Sequence, residues 1–497
     1  MQEIWAHLWQ FVLPELWGNT AWLLAGVGLG VGLLGISSAW LIAVYEFPGR
    51  RFLSWALLLP LALPAYITAF VWLGVLDFTG TWTTWLRETW GITSIPEIRS
   101  RGGVIVVMSL SLYPYVYLTA RTAFEGAGQR LVEAAQLFGL SHTQAFWRVV
   151  LPMARPAIAA GLLLALMETL ADFGTVSVFN YNTFTTAIYK AWFSMFSLPA
   201  AAQLAAILVL FVLVVALLEL QLRSQYSDST NRASASLTRL PLSGWRSMLA
   251  MAWAGGIFLL GFVMPLVQIA VWAKGAVAID WDSRYWGFAW HSVLLSGSGA
   301  LLVVLCAVVL AYTQRLFPHP LMALFTRLAT MGYALPGAVL AVGFYIPIAW
   351  IDNRLIDAFH FDGPVLGGTL LVMLLAYCTR FLAVGYGSVE SGLGRISRGM
   401  DEAAQSLGVG KRGRLWRIHL PLLRPSLLTA AALTFVDIMK ELPITLMTRP
   451  FGWDTLAVRV FEMTSEGEWE RAALPALAIV LVGLFPVLYL TRSSHHA

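Results

Sequence analysis

Apolar residues run along this chain in long blocks separated by short polar stretches. The longest blocks carry no charge at all: Thr20–Tyr45 holds none, and Leu302–Thr313 lies within another. A helix crossing a bilayer core needs about 20 apolar residues. The blocks predict eleven spans, near residues 20–45, 52–76, 103–120, 157–179, 202–221, 248–273, 290–313, 328–350, 363–379, 425–447 and 472–491. The fold class expected is all-α, a polytopic membrane protein. Pro60, Pro64 and Pro336 fall inside spans and predict bends there. Gly26/Gly30 and Gly28/Gly32 have the spacing of close helix packing. Met1–Trp17, apolar but short, is expected to lie flat on the outer surface.

The polar stretches carry a repeat. Leu131–Pro156 recurs as Met400–Pro425 at an offset of 269, with 11 identities over the 24 positions from Glu133 to Pro156. At an offset of 272, Asn19-Thr20 aligns with His291-Ser292 and Leu63-Pro64 with Leu335-Pro336. The chain therefore reads as two homologous helical bundles related by a pseudo-twofold axis. Residues 1–222 form the first half, 223–246 a Ser/Thr-rich linker and 247–497 the second half, whose span 248–273 has no counterpart. Within the repeat, Arg130–Phe138 predicts a helix, with Gly139 placed for a left-handed C-terminal cap. Ser141 and Gln144 form a capping box for a second helix, which Leu151-Pro152 is expected to end. Gly410 and Gly413 replace the box in the second copy and predict a looser start. Two copies at fixed spacing point to a docking element for a partner with two equivalent sockets.

Composition agrees with the pattern. Of 497 residues, 58% are hydrophobic and 12% charged, with a mean hydropathy of +0.72; soluble chains carry about 25% charged residues. The net charge of +5 is one of topology rather than nucleic-acid binding. With the N-terminus outside and the C-terminus inside, the cytoplasmic segments hold 21 basic residues and the opposite side 10, with Lys440 inside a span. This orientation puts both hairpins in the cytoplasm. Cys306 and Cys378 fall within spans, which implies no disulfide framework or thiolate metal site. The first apolar run is too long for a cleavable leader and reads as a permanent span.

No phosphate-binding glycine loop, H-E-x-x-H or C-x-x-C occurs. The chain is not expected to be an enzyme, and any ATP hydrolysis belongs to a separate chain. The informative groups are acids within spans: Glu168 aligns with Asp437 and Asp172 with Glu441. Each pair is four residues apart, expected on one helix face. A carboxylate in the bilayer costs roughly 2.5–3.5 kcal/mol unless it meets water or a partner. Two readings stand: a polar route for a hard metal or organic cation, or local pairing, for instance with Lys440, plus solvation at the span end. After these spans, Asn180–Pro199 and Thr448–Arg471 form matching outer loops that align near Ala187 and Ala457. Their aromatics (Phe184, Tyr189, Trp192, Phe193; Phe451, Trp453, Phe461) suit either a docking surface or an interfacial belt.

Glu-Ala-Ala, three residues, Gly, eleven residues and Leu-Pro, present twice, resembles the EAA loop of ABC-importer permeases. The resemblance implies a coupling helix that seats in a cytoplasmic ATPase, made here by Glu133, Ala134, Ala135 and Gly139 and by Glu402, Ala403, Ala404 and Gly408. Glu168-Thr-Leu-Ala-Asp-Phe-Gly174, Lys440-Glu-Leu-Pro443 and Arg449-Pro-Phe-Gly-Trp-Asp-Thr-Leu-Ala457 resemble the ferric-iron branch of that family. It implies a fused permease in the bacterial inner membrane, served by two ATPase copies and a periplasmic binding protein. ATP and Mg are then held by the ATPase, and this chain holds no cofactor. Glu168, Asp172, Asp437 and Glu441 become expected translocation-path residues with transient Fe(III) contacts. Permeases of this kind usually carry twelve spans, one more than counted. Related branches move thiamine, polyamines, phosphonates or sulfate; sulfate suits four carboxylates poorly, whereas thiamine, a cation, does not. A secondary transporter driven by an ion gradient shares the repeat and the buried acids, but gives no reason for duplicated polar hairpins.

Overall fold

The computed structural model describes residues 8–92, 96–125, 129–230 and 239–493. Packing divides the chain into two units, Met1–Ala278 with Met463–Val480, and Ile279–Glu462 with Leu481–Ala497. These units are drawn differently from the sequence halves, because the additional span packs in the first.

In the first unit, a π turn at Leu8–Val12 leads into α1, Leu13–Val44. Of Met1–Trp17, expected to lie flat, residues 1–7 lie outside the described residues, and residues 8–17 are not a separate segment but the first turns of the first long helix. Pro14 stands two residues past the π turn, whose wider winding makes room for a residue that lacks an N–H and crowds the carbonyl four residues back. A two-residue strand β1, Tyr45–Glu46, follows, then α2, Arg50–Ala56, a 3-10 turn at Leu59–Ala62 containing Pro60, and α3, Ala65–Leu76. The chain turns by 91° at Leu63-Pro64. A residue before proline is pushed out of the helical region, and Leu63 is indeed extended.

Helices α4, Thr81–Trp90, and α5, Arg101–Ala123, come next. Helix α5 packs along α1 through glycine: Gly26 faces Ile105, Gly30 faces Ser109, and a Cβ on Gly35 would lie 2.7 Å from Val116 Cβ. The other expected pair divides, Gly28 facing Leu166 and Gly32 open space. The first hairpin comprises α6, Gln129–Leu137, and α7, His142–Ala145. After a π turn at Phe146–Val150 the chain continues as α8, Leu151–Ala171. Leu151-Pro152 therefore does not end a helix, contrary to expectation. Proline lacks an N–H and crowds the carbonyl four residues back; the wider π turn lies just where that crowding falls.

Then come α9, Gly174–Val178; α10, Phe184–Phe193; and α11, Leu198–Thr230. Helix α11 takes up the start of the expected linker, of which residues 231–238 lie outside the described residues. The linker ends in order, with β2, Leu240–Pro241, pairing in parallel with β1. The additional span is α12, Trp245–Phe258, a π turn and α13, Met264–Asp280. Trp253 Nε1 donates to Ser37 Oγ at 3.0 Å, joining it to α1.

The second unit repeats the plan. Helix α14 spans Ser283–Leu316 and α15 Pro320–Thr330; a 3-10 turn at Met331–Ala334 precedes α16, Gly337–Phe359. The break again falls at Leu-Pro, with ψ of 143° at Pro336 against 136° at Pro64. Asp352 in α16 is buried and accepts the backbone N–H groups of Val365, Leu366 and Gly367 at 3.0, 2.8 and 2.6 Å. Helix α17 is Leu370–Gly394. The second hairpin comprises α18, Arg398–Ser406, and α19, Lys411–Arg414; a π turn at Leu415–His419 leads into α20, Leu420–Met439. Helices α21, Pro443–Thr448, α22, Leu456–Ser465, and α23, Trp469–Ser493, complete the chain. Val303, Met373, Tyr377 and Ile438 form the core between α14, α17 and α20. Cys306 and Cys378 are free thiols 3.7 Å apart.

Among the described residues nine helices are long and apolar enough to cross a membrane, or ten with the bent pair at Pro64; α23 stands where the eleventh was expected. Six of them lie between the hairpins: 143–171, 198–218, 245–280, 283–316, 337–359 and 370–394.

Candidate functional site

Each hairpin opens on an amphipathic helix. In α6, Val132 and Ala135 turn inward, while Glu133 and Gln136 are exposed. In α18, Ala404 is buried, and Glu402, Ala403 and Gln405 face out. The Glu-Ala-Ala triplet thus presents its acid and buries its last alanine in both copies; the side chain of Ala134 lies outside the described residues. Gly139 and Gly408 have φ of +79° and +77°, the left-handed cap expected. The cap bonds match in register. Gly139 and Leu140 donate to the Gln136 and Ala135 carbonyls at 2.8 and 3.1 Å; Gly408 and Val409 donate to Gln405 and Ala404 at 2.9 and 2.9 Å. Both are complete Schellman caps.

The capping box is present in the first hairpin, Ser141 N donating to Gln144 Oε1 at 3.1 Å and Gln144 N to Ser141 Oγ at 3.3 Å. In the second, Gly410 is the N-cap and has no side chain to offer. Sequence reasoning missed the apolar residues beside the caps. Phe138 and Leu407, directly before the two glycines, are 88% and 83% exposed. Trp147 and Trp416, identical in the repeat, are 63% and 70% exposed. The signal was legible as bulky apolar side chains in a polar hairpin. An acid, an apolar side chain and a tryptophan thus stand exposed at matching positions of the two hairpins.

The four acids have different settings. Helix α8 ends at Ala171 and α20 at Met439, so Asp172 and Glu441 stand beyond the helices that carry Glu168 and Asp437. The expectation of one helix face is corrected accordingly. Asp172 accepts from Thr175 Oγ1 at 2.9 Å and Val176 N at 3.1 Å. Glu441 accepts from Ile444 N at 3.0 Å and from Thr445 N at 3.1 Å. Each acid therefore caps the short helix that follows, α9 or α21. Arg380 Nη1 lies 3.5 Å from Glu441. Counted on the cytoplasmic side from sequence, Arg380 in fact sits within α17, drawn in by that carboxylate. Asp437 pairs with Lys440 at 2.8 Å, and Glu168 is half-buried on α8. Among the described residues no three His, Cys, Asp or Glu side chains are grouped to hold a metal ion.

At the outer loops, Asn19 Nδ2 donates to the Asn182 carbonyl at 3.0 Å, and His291 Nδ1 lies 3.2 Å from the Asp454 carbonyl. The matching offset there is 272, not the 270 of Ala187 and Ala457. Phe184 and Phe461 are buried, and Trp453 stacks on His291 with centroids 4.5 Å apart. Phe193 stacks on both Tyr189 and Trp192. Phe193 and Phe451 remain exposed.

The family model for the binding-protein-dependent transport system inner membrane component matches twice, over residues 32–224 and 303–494. The chain belongs to this family. Among its relatives, the Fe(3+)-transport system permease protein FbpB 2 of Haemophilus influenzae is 28% identical over 97% of this chain and 90% of the relative. A putative 2-aminoethylphosphonate transport system permease protein, PhnV of Salmonella typhimurium, is 29% identical over 48% of this chain and 91% of its own length. The sulfate transport system permease protein CysT of Escherichia coli is 29% identical over 36% of this chain and 65% of its own. This protein is thus a multi-pass inner-membrane permease of a binding-protein-dependent ABC importer, with both repeats in one chain. It is a transport component, not an enzyme, and it works with an ATPase and a binding protein.

Proposed function

We propose that this permease translocates ferric iron, delivered by a periplasmic binding protein, and that each hairpin seats one of two ATPase copies. The duplicated surface carries this reading: an exposed glutamate and an exposed apolar residue set on a left-handed glycine cap, twice. Glu133 and Glu402 contact the ATPase, with Ala135 and Ala404 as inward supports. ATP and Mg are bound by the ATPase, and the C-terminus is cytoplasmic. ATP-driven closure moves the hairpins, the bundle opens outward to receive the ion, and hydrolysis returns it to release the ion inward. For iron, the reading is supported by the match over 97% of the chain to a relative named for Fe(3+) transport, against matches over 48% and 36% to the phosphonate and sulfate permeases. Glu168 and Asp437 line the path, while Asp172 and Glu441 shape it by holding the helix breaks.

Charge reversal of Glu133 and Glu402 together is expected to abolish ATPase co-purification and iron uptake; unchanged uptake refutes the assignment. In proteoliposomes, an iron-loaded binding protein is expected to stimulate ATP hydrolysis. Stimulation by a thiamine-loaded protein instead reassigns the substrate, and uptake without ATP points to a gradient-driven transporter. Glu168→Gln with Asp437→Asn is expected to impair translocation while the ATPase still assembles; full transport leaves these acids only a structural part.

A further inference from the structure

The two hairpins are fastened to their spans by different chemistry at matching positions. In the second unit, the hairpin-side end of α14 reaches across in several places. Tyr312 Oη donates to the Lys411 carbonyl at 2.6 Å. Arg315 donates to the Leu393 and Ile396 carbonyls at 2.6 and 2.8 Å, and its Nε and Nη2 reach Asp401 Oδ2 at 2.9 and 2.8 Å. The other Asp401 oxygen lies 2.7 Å from Nε2 of His419, which is buried in the π turn before α20. One carboxylate on α18 therefore ties together α14 and α20.

Shifted back by 272 on the α14 side and 269 on the hairpin side, the same places in the first unit hold no charge. Tyr312 becomes Trp40, Arg315 becomes Ala43, Asp401 becomes Val132 and His419 becomes Val150. Trp40 packs against Phe124 and Phe146 with centroids 5.4 and 4.5 Å away. Ala43, Val132 and Val150 are buried. The first joint is aromatic and aliphatic; the second is ionic and hydrogen-bonded.

We infer that Arg315 and Asp401 are positioning residues for coupling, setting the angle at which the second hairpin meets α14 and α20. This rests on the proposed seating of an ATPase on that hairpin. Two arginine nitrogens closing on one carboxylate oxygen make a charge-assisted, directional contact, so displacement of α18 is passed to α14 through a joint of fixed length. Apolar packing constrains distance but tolerates sliding, and the first hairpin has its own capping box to hold its shape.

The test uses the full permease with its ATPase and loaded binding protein in proteoliposomes. It measures three things: ATPase co-purified, ATP hydrolysed, and ions moved per ATP. Asp401→Asn keeps the shape but loses the charge; it is expected to assemble as the native chain does and to move about tenfold fewer ions per ATP, within the range of known coupling effects. Arg315→Lys, which keeps charge but not the fork, is expected to fall between the two and serves if Asp401→Asn does not fold. The triple change Arg315→Ala, Asp401→Val and His419→Val, which puts the first joint's aliphatic residues at these three positions, is expected to couple no better than Asp401→Asn, because the second hairpin has no capping box to hold its shape; native ions per ATP in this variant also overturn the inference. Native ions per ATP in both Asp401→Asn and Arg315→Lys overturns the inference, as does a loss of transport that merely tracks lost assembly. If the native chain itself binds no ATPase, the proposed function fails instead, so the two failures are distinguishable.

Discussion

Replacing Gly139 and Gly408 by alanine tests the hairpin geometry with little else disturbed. A Cβ at either position meets nothing within 4 Å, so no clash is introduced. What changes is the backbone preference. At φ of +79° and +77°, a residue with a Cβ loses about 1 kcal/mol or slightly more relative to glycine. The ratio of capped to uncapped hairpin then falls about fivefold at each site, and with both caps required for docking the loss is at most about 2 kcal/mol, about thirtyfold in affinity. Asparagine adopts the left-handed region more readily, so the double asparagine variant is expected to recover most of the loss. The assay is binding of purified ATPase to permease in nanodiscs, with thermal stability followed in parallel. Because both caps lie on exposed hairpins, melting is expected to change little while binding weakens. Native-like binding by the alanine variant, or equal losses for alanine and asparagine, refutes the argument that left-handed caps set the docking surface.

Phe138→Ser with Leu407→Ser is expected to leave melting unchanged and weaken ATPase binding by about tenfold or more per site, since burying such a side chain contributes about 1.5–3 kcal/mol; a binding titration checks it. Gly35→Ala places a Cβ 2.7 Å from Val116 Cβ and 2.9 Å from the Tyr117 backbone nitrogen, and is expected to destabilise by about 1–3 kcal/mol in a thermal melt. Asp352→Ala strands three backbone donors and is expected to cost about 3 kcal/mol, with faster amide exchange at residues 365–367. Burial works against the charge of Asp401, but hydrogen bonds from Arg315 and the neighbouring His419 outweigh it and hold its pKa below the ordinary carboxylate value. A lowered folded value gives stabilisation that is complete above the unfolded pKa of about 3.9 and is lost as pH falls through the folded one. The Tm advantage of the native chain over Asp401→Asn is therefore expected to hold from about pH 8 to pH 5 and shrink below about pH 4.

Local chemical signals were read well from sequence because each is decided within a few residues. A glycine placed for positive φ, a Ser-x-x-Gln box and a Leu-Pro break appear at Gly139, Ser141 and Leu63-Pro64 as expected. Misreadings arose where a distant partner or an unusual turn decides. A rule that proline ends helices does not foresee the π turns ahead of Pro152 and Pro421. Arg380 looks cytoplasmic by charge because Glu441, which holds it, is 61 residues later. Asp172 and Glu441 read as acids on a span face, whereas the chain leaves the helix just before them and turns each into a cap. The contrast between the hairpin joints was present in the aligned residues, but only coordinates show that Arg315, Asp401 and His419 meet.

The π turns have a mechanical corollary. Because the helix is not cut at Leu-Pro, residues 143–171 and 411–439 are each one rod of 29 residues, about 43 Å long at 1.5 Å per residue. On the proposed seating of the ATPase, a displacement at the foot of either helix reaches its other end, beside Asp172 or Glu441, through continuous helix rather than loop. A flexible insertion along either helix is then expected to let ATP hydrolysis proceed without transport.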